Sequence, residues 1–375
     1  MKKHYLDNSA TTQVLKEAAE RAAFYMTEEF GNPSSLHSMG FTAAGVLEES
    51  RETVAKSLGA DKKEIFFTSG GTGGNHIAIM GAAHANKKQG RKIVTTAIEH
   101  PAVLEHFKYL ETQGYEVAYI KPKKDGNIDL SSLEVIDRDT VFVSMMLVNN
   151  ETGAVLPVDK AAQRIKEVQS PALLHVDAVQ AYMKMKIPLK DIDLLTVSGH
   201  KIHGPKGVGA MYISRRANIR KTLFGGGQEG GYRPGTESVP LIAAFETAVR
   251  ETGNLNDNMN HVRALNNLLR EGLKSIGETK VNSPDDASPY ILNFSPGSVM
   301  AQTMLNFLSS KGIYVSSGSA CGKLKPSHVL EAMEVEKEYI NSAIRVSFSR
   351  FSTKEDVAAF IEAYKEGLNV LAKPR

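Results

Sequence analysis

From the N-terminus to about residue 215, short apolar runs alternate with stretches whose apolar residues recur at helical spacing. The runs at 64–68, 93–96, 117–120, 141–148, 173–177 and 194–197 are brief and rich in β-branched or aromatic residues, which predicts buried strands. Between them the spacing predicts helices over 16–25 and 43–58, one starting near His76 and one opened by Pro101. Gly59 ends the second helix. Gly31-Asn32-Pro33-Ser34-Ser35 breaks the chain after the first and leaves His37 in a solvated loop. The start, 5–12, is extended and runs into turn-forming polar residues. Strands alternating with helices predict an α/β fold with a mostly parallel, doubly wound sheet covered on both faces.

Beyond residue 215 the pattern changes. A glycine-rich loop over 223–236 has little room for regular structure, and loops of that length are usually functional or at an interface. Helices are expected over 239–252, 259–276, 301–310 and 354–371, with strands over 290–294 and 343–348. This order lacks strict alternation, which predicts a smaller α+β domain. A chain of 375 residues also exceeds a comfortable single core. We expect a large domain over 14–255 and a small domain built from 1–13 and 256–375.

Composition narrows the function classes. Hydrophobic residues make up 42% and charged residues 23%, as in ordinary globular proteins. The net charge of +3 is spread without a basic block, which argues against direct nucleic-acid binding. No apolar run approaches the roughly 18 residues that cross a bilayer. The segment 1–7 carries charge but no hydrophobic signal core, so a cytoplasmic location is expected. The single cysteine, Cys321, excludes an intrachain disulfide and a multi-cysteine metal site. His200 and His203 have the spacing of a metal pair but lack further ligands, and no metal is expected.

The candidate chemistry lies at the strand ends. Thr72, His100, Asn150, Asp177 and Lys201 each fall just past the C-terminal end of a predicted strand, the edge where ligands bind in a doubly wound sheet. The turn Ser69-Gly70-Gly71-Thr72-Gly73-Gly74 matches neither GxGxxG nor a P-loop. It does place glycines and a helix start where an anion can be held, and its bland alternative is a tight strand-to-helix connection. Lys201 sits in a loop of small residues as a nucleophilic amine would. Together these parts match the needs of pyridoxal phosphate (PLP). Lys201 supplies the Schiff-base amine, Asp177 pairs with the ring nitrogen, and Gly71, Thr72, Ser198 and His200 hold the phosphate. Asp177 could instead be a helix cap.

Cys321 lies among small residues in Ser316-Ser317-Gly318-Ser319-Ala320-Cys321-Gly322-Lys323, where Lys323 would favour a thiolate; the alternative is a small buried hydrophobe. Arg345, in a predicted strand, could fork onto a substrate carboxylate or form a surface salt bridge.

Ten ordered motifs carry a resemblance that runs nearly end to end. They are YLDNSATT from Tyr5, GNPSSLH from Gly31, TSGGT from Thr68, EH from Glu99, VNNETG from Val148, HVDAVQ from His175, SGHKIHGPKGVGA from Ser198, GGGQE from Gly225, SSGSAC from Ser316 and IRVS from Ile344. The chain resembles the cysteine desulfurases, PLP enzymes of fold-type I in the class V aminotransferase superfamily. The resemblance implies that Lys201 binds the cofactor and removes the substrate's Cα proton, while His100 stacks on the ring and assists proton transfer. It places Asp177 on the ring nitrogen and Gln180 and Asn150 near the phenolic oxygen. Gly71, Thr72, Ser198, Gly199 and His200 would hold the cofactor. Thr236 would reach the phosphate of a second subunit, making the protein a homodimer. Arg345 and Asn150 would bind the substrate, L-cysteine. Cys321 would take its sulfur as a persulfide, releasing alanine, for an iron–sulfur scaffold or a tRNA-thiolation protein.

The chain departs from that pattern at Gly73, where glutamate is usual, at Gly230, where arginine is usual, and in a shortened segment after Cys321. Two other readings stay open. One is a PLP-dependent cysteine or cystine β-lyase or aminotransferase of the same fold, and the other is a non-catalytic scaffold for sulfur carriers.

Overall fold

A seven-stranded sheet forms the central layer. After a short β1 (His4–Tyr5), its strands in chain order are β2 (Ile65–Thr68), β3 (Lys92–Thr96), β4 (Glu116–Ile120), β5 (Thr140–Met146), β6 (Leu173–Asp177), β7 (Leu194–Ser198) and β8 (Gly209–Ile213). Their spatial order is β2-β8-β7-β6-β5-β3-β4, and only β8 runs antiparallel to its neighbours. The computed structural model describes residues 2–277, 279–317 and 326–371, so Cys321 and Lys323 lie outside the described residues.

The α/β reading holds, and the sheet is buried on both faces. Adjacent residues of one strand enter different cores, Ile93 against Val94 and Leu194 against Leu195. The helices of this part are α1 (Lys16–Thr27), α2 (Ser38–Leu58), α3 (Gly71–Asn86), α4 (Pro101–Thr112), α5 (Val158–Glu167) and α6 (Val239–Arg250). Ile77, Ala82, Val103 and Phe107 of α3 and α4 cover one face, and Val46, Val54, Ile242 and Phe245 of α2 and α6 join the core on the other.

Several boundaries differ from expectation. The strand β8 follows the loop of small residues around Lys201 and was not expected, and it pairs with both β2 and β7. The helix α3 begins at Gly71 instead of near His76, and α2 begins at Ser38, capped by His37, whose Nδ1 accepts from the Gly40 N–H at 3.3 Å. His37 is therefore a helix cap, not a free loop residue.

The C-terminal part contains α7 (Leu255–Ile276), β9 (Lys280–Val281), β10 (Ile291–Ser295), α8 (Ala301–Ser310), β11 (Ile313–Tyr314), α9 (His328–Ala332), α10 (Lys337–Ser342), β12 (Ile344–Ser347) and α11 (Lys354–Val370). Its sheet β12-β10-β9 is antiparallel. The N-terminal β1 pairs with β11, and Asn8 and Ser9 bond to Ser347, so the arm 4–9 is anchored on the C-terminal strands. From there it crosses to the strand ends of the large sheet. Among the described residues no helix is long and apolar enough to cross a membrane.

Candidate active site

The parallel strands β3, β5, β6 and β7 all end at one edge of the sheet, and a cavity of about 400 Å³ opens there. That volume lies within the range of small-molecule sites. Its wall includes Thr72, His100, Asn150, Asp177, Gln180, Ser198, His200, Lys201 and Arg345. All five residues picked at predicted strand ends therefore meet at one site.

One end of the cavity is built by glycines. A Cβ at Gly71 would stand 2.9 Å from Val179 Cγ2, and one at Gly74 would stand 2.6 Å from Thr196 Cγ2. Only glycine lets α3 pack so closely on the sheet that its N-terminus, with unpaired first-turn N–H groups, meets the cavity. Thr72 and Ser198 line the same end, and the buried Ser198 Oγ has no hydrogen-bond partner. A Cβ at Gly73 would stand 2.5 Å from Ser69 Oγ, so a longer side chain there requires the Ser69 hydroxyl to turn away. Burial, with Lys201, Lys206 and Lys184 adding, pushes His200 down to about 4, so its ring is neutral at pH 7.

The cavity wall also carries a carboxylate. Asp177 Oδ2 accepts from Asn75 Nδ2 at 2.8 Å, and Oδ1 accepts from the Val179 N–H at 3.0 Å. No helix follows Asp177, so the bond from the Val179 N–H closes a turn and is not the helix cap considered for it; the side chain lines the cavity. His100 caps α4, its Nδ1 accepting from the Ala102 N–H at 3.0 Å, which leaves the proton of the neutral ring on Nε2. Burial lowers its pKa, Lys201 and His328 add to that, and Asp177 opposes it. Behind His100 lies Glu99, fully buried, its Oε1 accepting from Thr96 Oγ1 at 2.7 Å and from the Met146 N–H at 2.8 Å. Burial raises this carboxyl to about 8, and Asp177 adds to the rise.

Lys201 enters from the turn after β7, and its Nζ donates to the carbonyls of Ser9 and Ala10, both at 2.7 Å. Gln180 Nε2 donates to the same Ser9 carbonyl at 2.9 Å. Arg345, 1% exposed, donates from Nη1 to the Asn150 carbonyl at 2.9 Å and from Nη2 to Asp7 Oδ1 at 2.9 Å. It is a buried residue of the cavity wall, so the surface salt bridge considered for it is not what the structure holds. Asn149 builds the turn that presents Asn150, its Oδ1 accepting from the N–H groups of Glu151 and Thr152, both at 2.9 Å.

Sequence reasoning assigned no role to Ser9, Ala10 or Asp7, although all three sit in the YLDNSATT motif. The available signal was the run of turn-forming residues at 7–12. Two candidates stand outside the cavity wall. Gly199 is buried behind it, and a Cβ there would meet Phe245 and the Pro205 carbonyl, both at 3.1 Å. Thr236 is exposed on the glycine-rich loop, its carbonyl accepting from Arg233 Nη1 at 3.0 Å. Cys321 lies outside the described residues, but both flanks of its segment reach the rim. Ser316 bridges to Arg345, and His328 Nε2 donates to the Glu99 carbonyl at 2.9 Å.

The donors and acceptors fit pyridoxal phosphate. An unpartnered buried hydroxyl and a helix N-terminus suit the phosphate, a buried carboxylate suits a protonated ring nitrogen, and a lysine amine stands near both.

Over residues 4–360 the chain matches the family "Aminotransferase class-V". It is 41% identical over 369 residues to the cysteine desulfurase IscS of Methanosarcina thermophila, covering 96% of this chain and 91% of that protein. With a cysteine desulfurase of Trichormus variabilis it shares 44% identity over 361 residues, 94% of this chain and 90% of that one. Among solved structures, a NifS-like protein superimposes with a TM-score of 0.93 at 38% identity, over 99% of this chain and 100% of that one. A NifS-like protein of Rickettsia africae does so with a TM-score of 0.88 at 32% identity, over 98% of this chain and 100% of that one.

Proposed function

The chain belongs to the class-V aminotransferase family, among its cysteine desulfurases, and from that premise we propose that it takes sulfur from L-cysteine with PLP as its cofactor. The observation that carries this reading is the meeting of Lys201, Asp177, His100 and Arg345 around one cavity. When bound, PLP supplies an electron-accepting ring that stabilises negative charge at the Cα of an amino acid.

The side chains divide the work. The N-terminus of α3, Thr72, Ser198 and His200 hold the phosphate. Asp177, itself held by Asn75 and the Val179 N–H, faces the ring nitrogen. Arg345 binds the substrate carboxylate with a guanidinium already aligned by Asp7 and the Asn150 carbonyl. Lys201 Nζ is the amine that binds the cofactor and the base that takes and returns the proton at Cα. His100, neutral and carrying its proton on Nε2, moves a proton at the rim.

Sulfur leaves through Cys321. The balanced change is L-cysteine plus the Cys321 thiol giving L-alanine and a Cys321 persulfide. The acceptor is a carrier protein, an iron–sulfur scaffold or a tRNA-thiolation protein, and the working compartment is the cytoplasm. Two copies form a homodimer, each lending Thr236 to the other's phosphate site.

The test incubates wild type and Cys321→Ala with L-cysteine and measures alanine, sulfide and protein-bound persulfide. Wild type is expected to form alanine and the persulfide, and the variant neither above background. Alanine from the variant at the wild-type rate would show that Cys321 is not the acceptor. Pyruvate in place of alanine would make the protein a β-lyase.

A further inference from the structure

One buried cation has no part in the roles above. Lys184, in the turn after β6, is 7% exposed, and its Nζ donates to Gln180 Oε1 at 3.1 Å. Its other neighbour is the ring of Tyr290, whose centroid is 5.7 Å away. Among the described residues no carboxylate forms an ion pair with it. An ammonium held in the interior by one amide oxygen and one aromatic face is poorly compensated for its lost hydration. Burial pushes its pKa down to about 7, with the charges of Lys201 and Arg345 adding. An apolar side chain of the same length would fill the space without that cost, so the amine has a task beyond packing.

The geometry identifies the task. Gln180 lines the large cavity, but Lys184 does not; it lines a separate, small cavity of about 20 Å³ behind the wall, with Lys201 and Tyr290. The Gln180 amide is therefore held at both ends. Its oxygen is turned back to Lys184, and its nitrogen is turned to the Ser9 carbonyl, which also accepts from Lys201. An amide nitrogen carries two protons, and Ser9 uses one. The second is left for a ligand in the cavity.

We propose that Lys184 is a positioning residue for the reaction, fixing the Gln180 amide so that its nitrogen, not its oxygen, is presented to the cofactor beside Lys201. This rests on the reading of the cavity as a PLP site with Gln180 near the phenolic oxygen. There an N–H donor stabilises the oxygen, and a carbonyl would repel it.

The experiment is a double-mutant cycle on the PLP-loaded protein. Lys184→Met, Gln180→Leu and the double variant are compared with wild type by the visible absorption of the bound cofactor, by kcat and KM for L-cysteine, and by Tm. Each single variant is expected to shift the absorption alike and to lower kcat by roughly 10-fold, the effect of one hydrogen bond. The double variant should shift no further than either single one, because the two residues act as one unit. The Tm of Lys184→Met should match or exceed that of wild type, since methionine fills the space without a buried charge. A wild-type spectrum in Lys184→Met, or effects that add in the double variant, would overturn the proposal. If Lys184→Met does not fold, Lys184→Arg carries the test, because it keeps the donor and the charge. A wild-type spectrum then supports the proposal, and the spectrum of Gln180→Leu in its place refutes it. A wild-type protein that binds no PLP would instead remove the premise, an outcome distinct from all of these.

Discussion

Two ionisable side chains behind the cavity are shifted by burial toward neutrality from opposite sides, Glu99 up to about 8 and Lys184 down to about 7. Their effects on stability have opposite signs. The folded chain keeps the Glu99 proton where the unfolded chain has lost it, so stability falls as pH rises between about 4.5 and 8. For Lys184 the unfolded chain keeps its proton to about 10.5 while the folded chain sheds it near 7, so stability rises across that window. Comparing wild type with Lys184→Met cancels the Glu99 contribution, which both share. Wild type should gain on the variant between pH 7 and pH 9, by at most about 1.4 kcal/mol per pH unit. Below pH 6.5 the difference should be flat. Urea unfolding across this range measures it, and a gap that widens with pH in favour of the variant would contradict the burial of a charged Lys184.

At the scale of elements, one side chain holds the glycine-rich loop on the sheet. Glu229 takes a left-handed conformation at φ 47° and turns its carboxylate inward, where it is 1% exposed. There it accepts from Arg51 Nη1 and Nη2, both at 2.8 Å, and from the Phe67 N–H of β2 at 2.7 Å. Gly230 follows at φ 63°, and a Cβ there would lie 3.0 Å from Phe66 Cε1, so this loop favours glycine. Glu229→Ala would leave the Arg51 guanidinium largely buried without its main partner. We expect a loss of about 3 kcal/mol in chemical denaturation, together with faster proteolysis within 223–236.

The same scale explains what the sequence could reveal. Strands β3, β5, β6 and β7 were legible because runs such as Val141 to Met146 are apolar on both faces. β8 was hidden because Gly209 and Ala210 read as loop, although Gly209 is needed where a Cβ would stand 2.3 Å from the Val197 carbonyl. The start of α3 was placed late because three glycines argue against helix, and close packing on Val179 and Thr196 overrides that preference. The cavity's polar residues were legible from their places at strand ends. The arm carrying Asp7, Ser9 and Ala10 was not, since its contacts join residues more than 100 positions apart, as in the bonds from Ser9 to Asn150 and from Lys201 to Ser9.

For the whole molecule, the decisive question is whether one chain completes its own site. Within a single chain Thr236 is exposed and absent from the cavity wall, while the end proposed for the phosphate, lined by Ser69–Thr72, His200 and Lys206, opens to the outside in a hollow of about 490 Å³. A second copy bringing its Thr236 to that hollow would close it, which the Arg51–Glu229 anchor favours by holding the loop in shape. Thr236→Val removes the hydroxyl at an exposed position, so the fold and Tm should be unaffected. PLP affinity should fall roughly 10-fold or more, the effect of one hydrogen bond to a charged group. Mixing this variant with Lys201→Ala under conditions that exchange subunits separates the two arrangements. In a mixed dimer, the site that keeps Lys201 borrows an intact Thr236 from the Lys201→Ala chain, so wild-type PLP affinity should return to that site alone. If Thr236 served its own chain, every intact Lys201 would remain beside a valine and mixing would restore nothing.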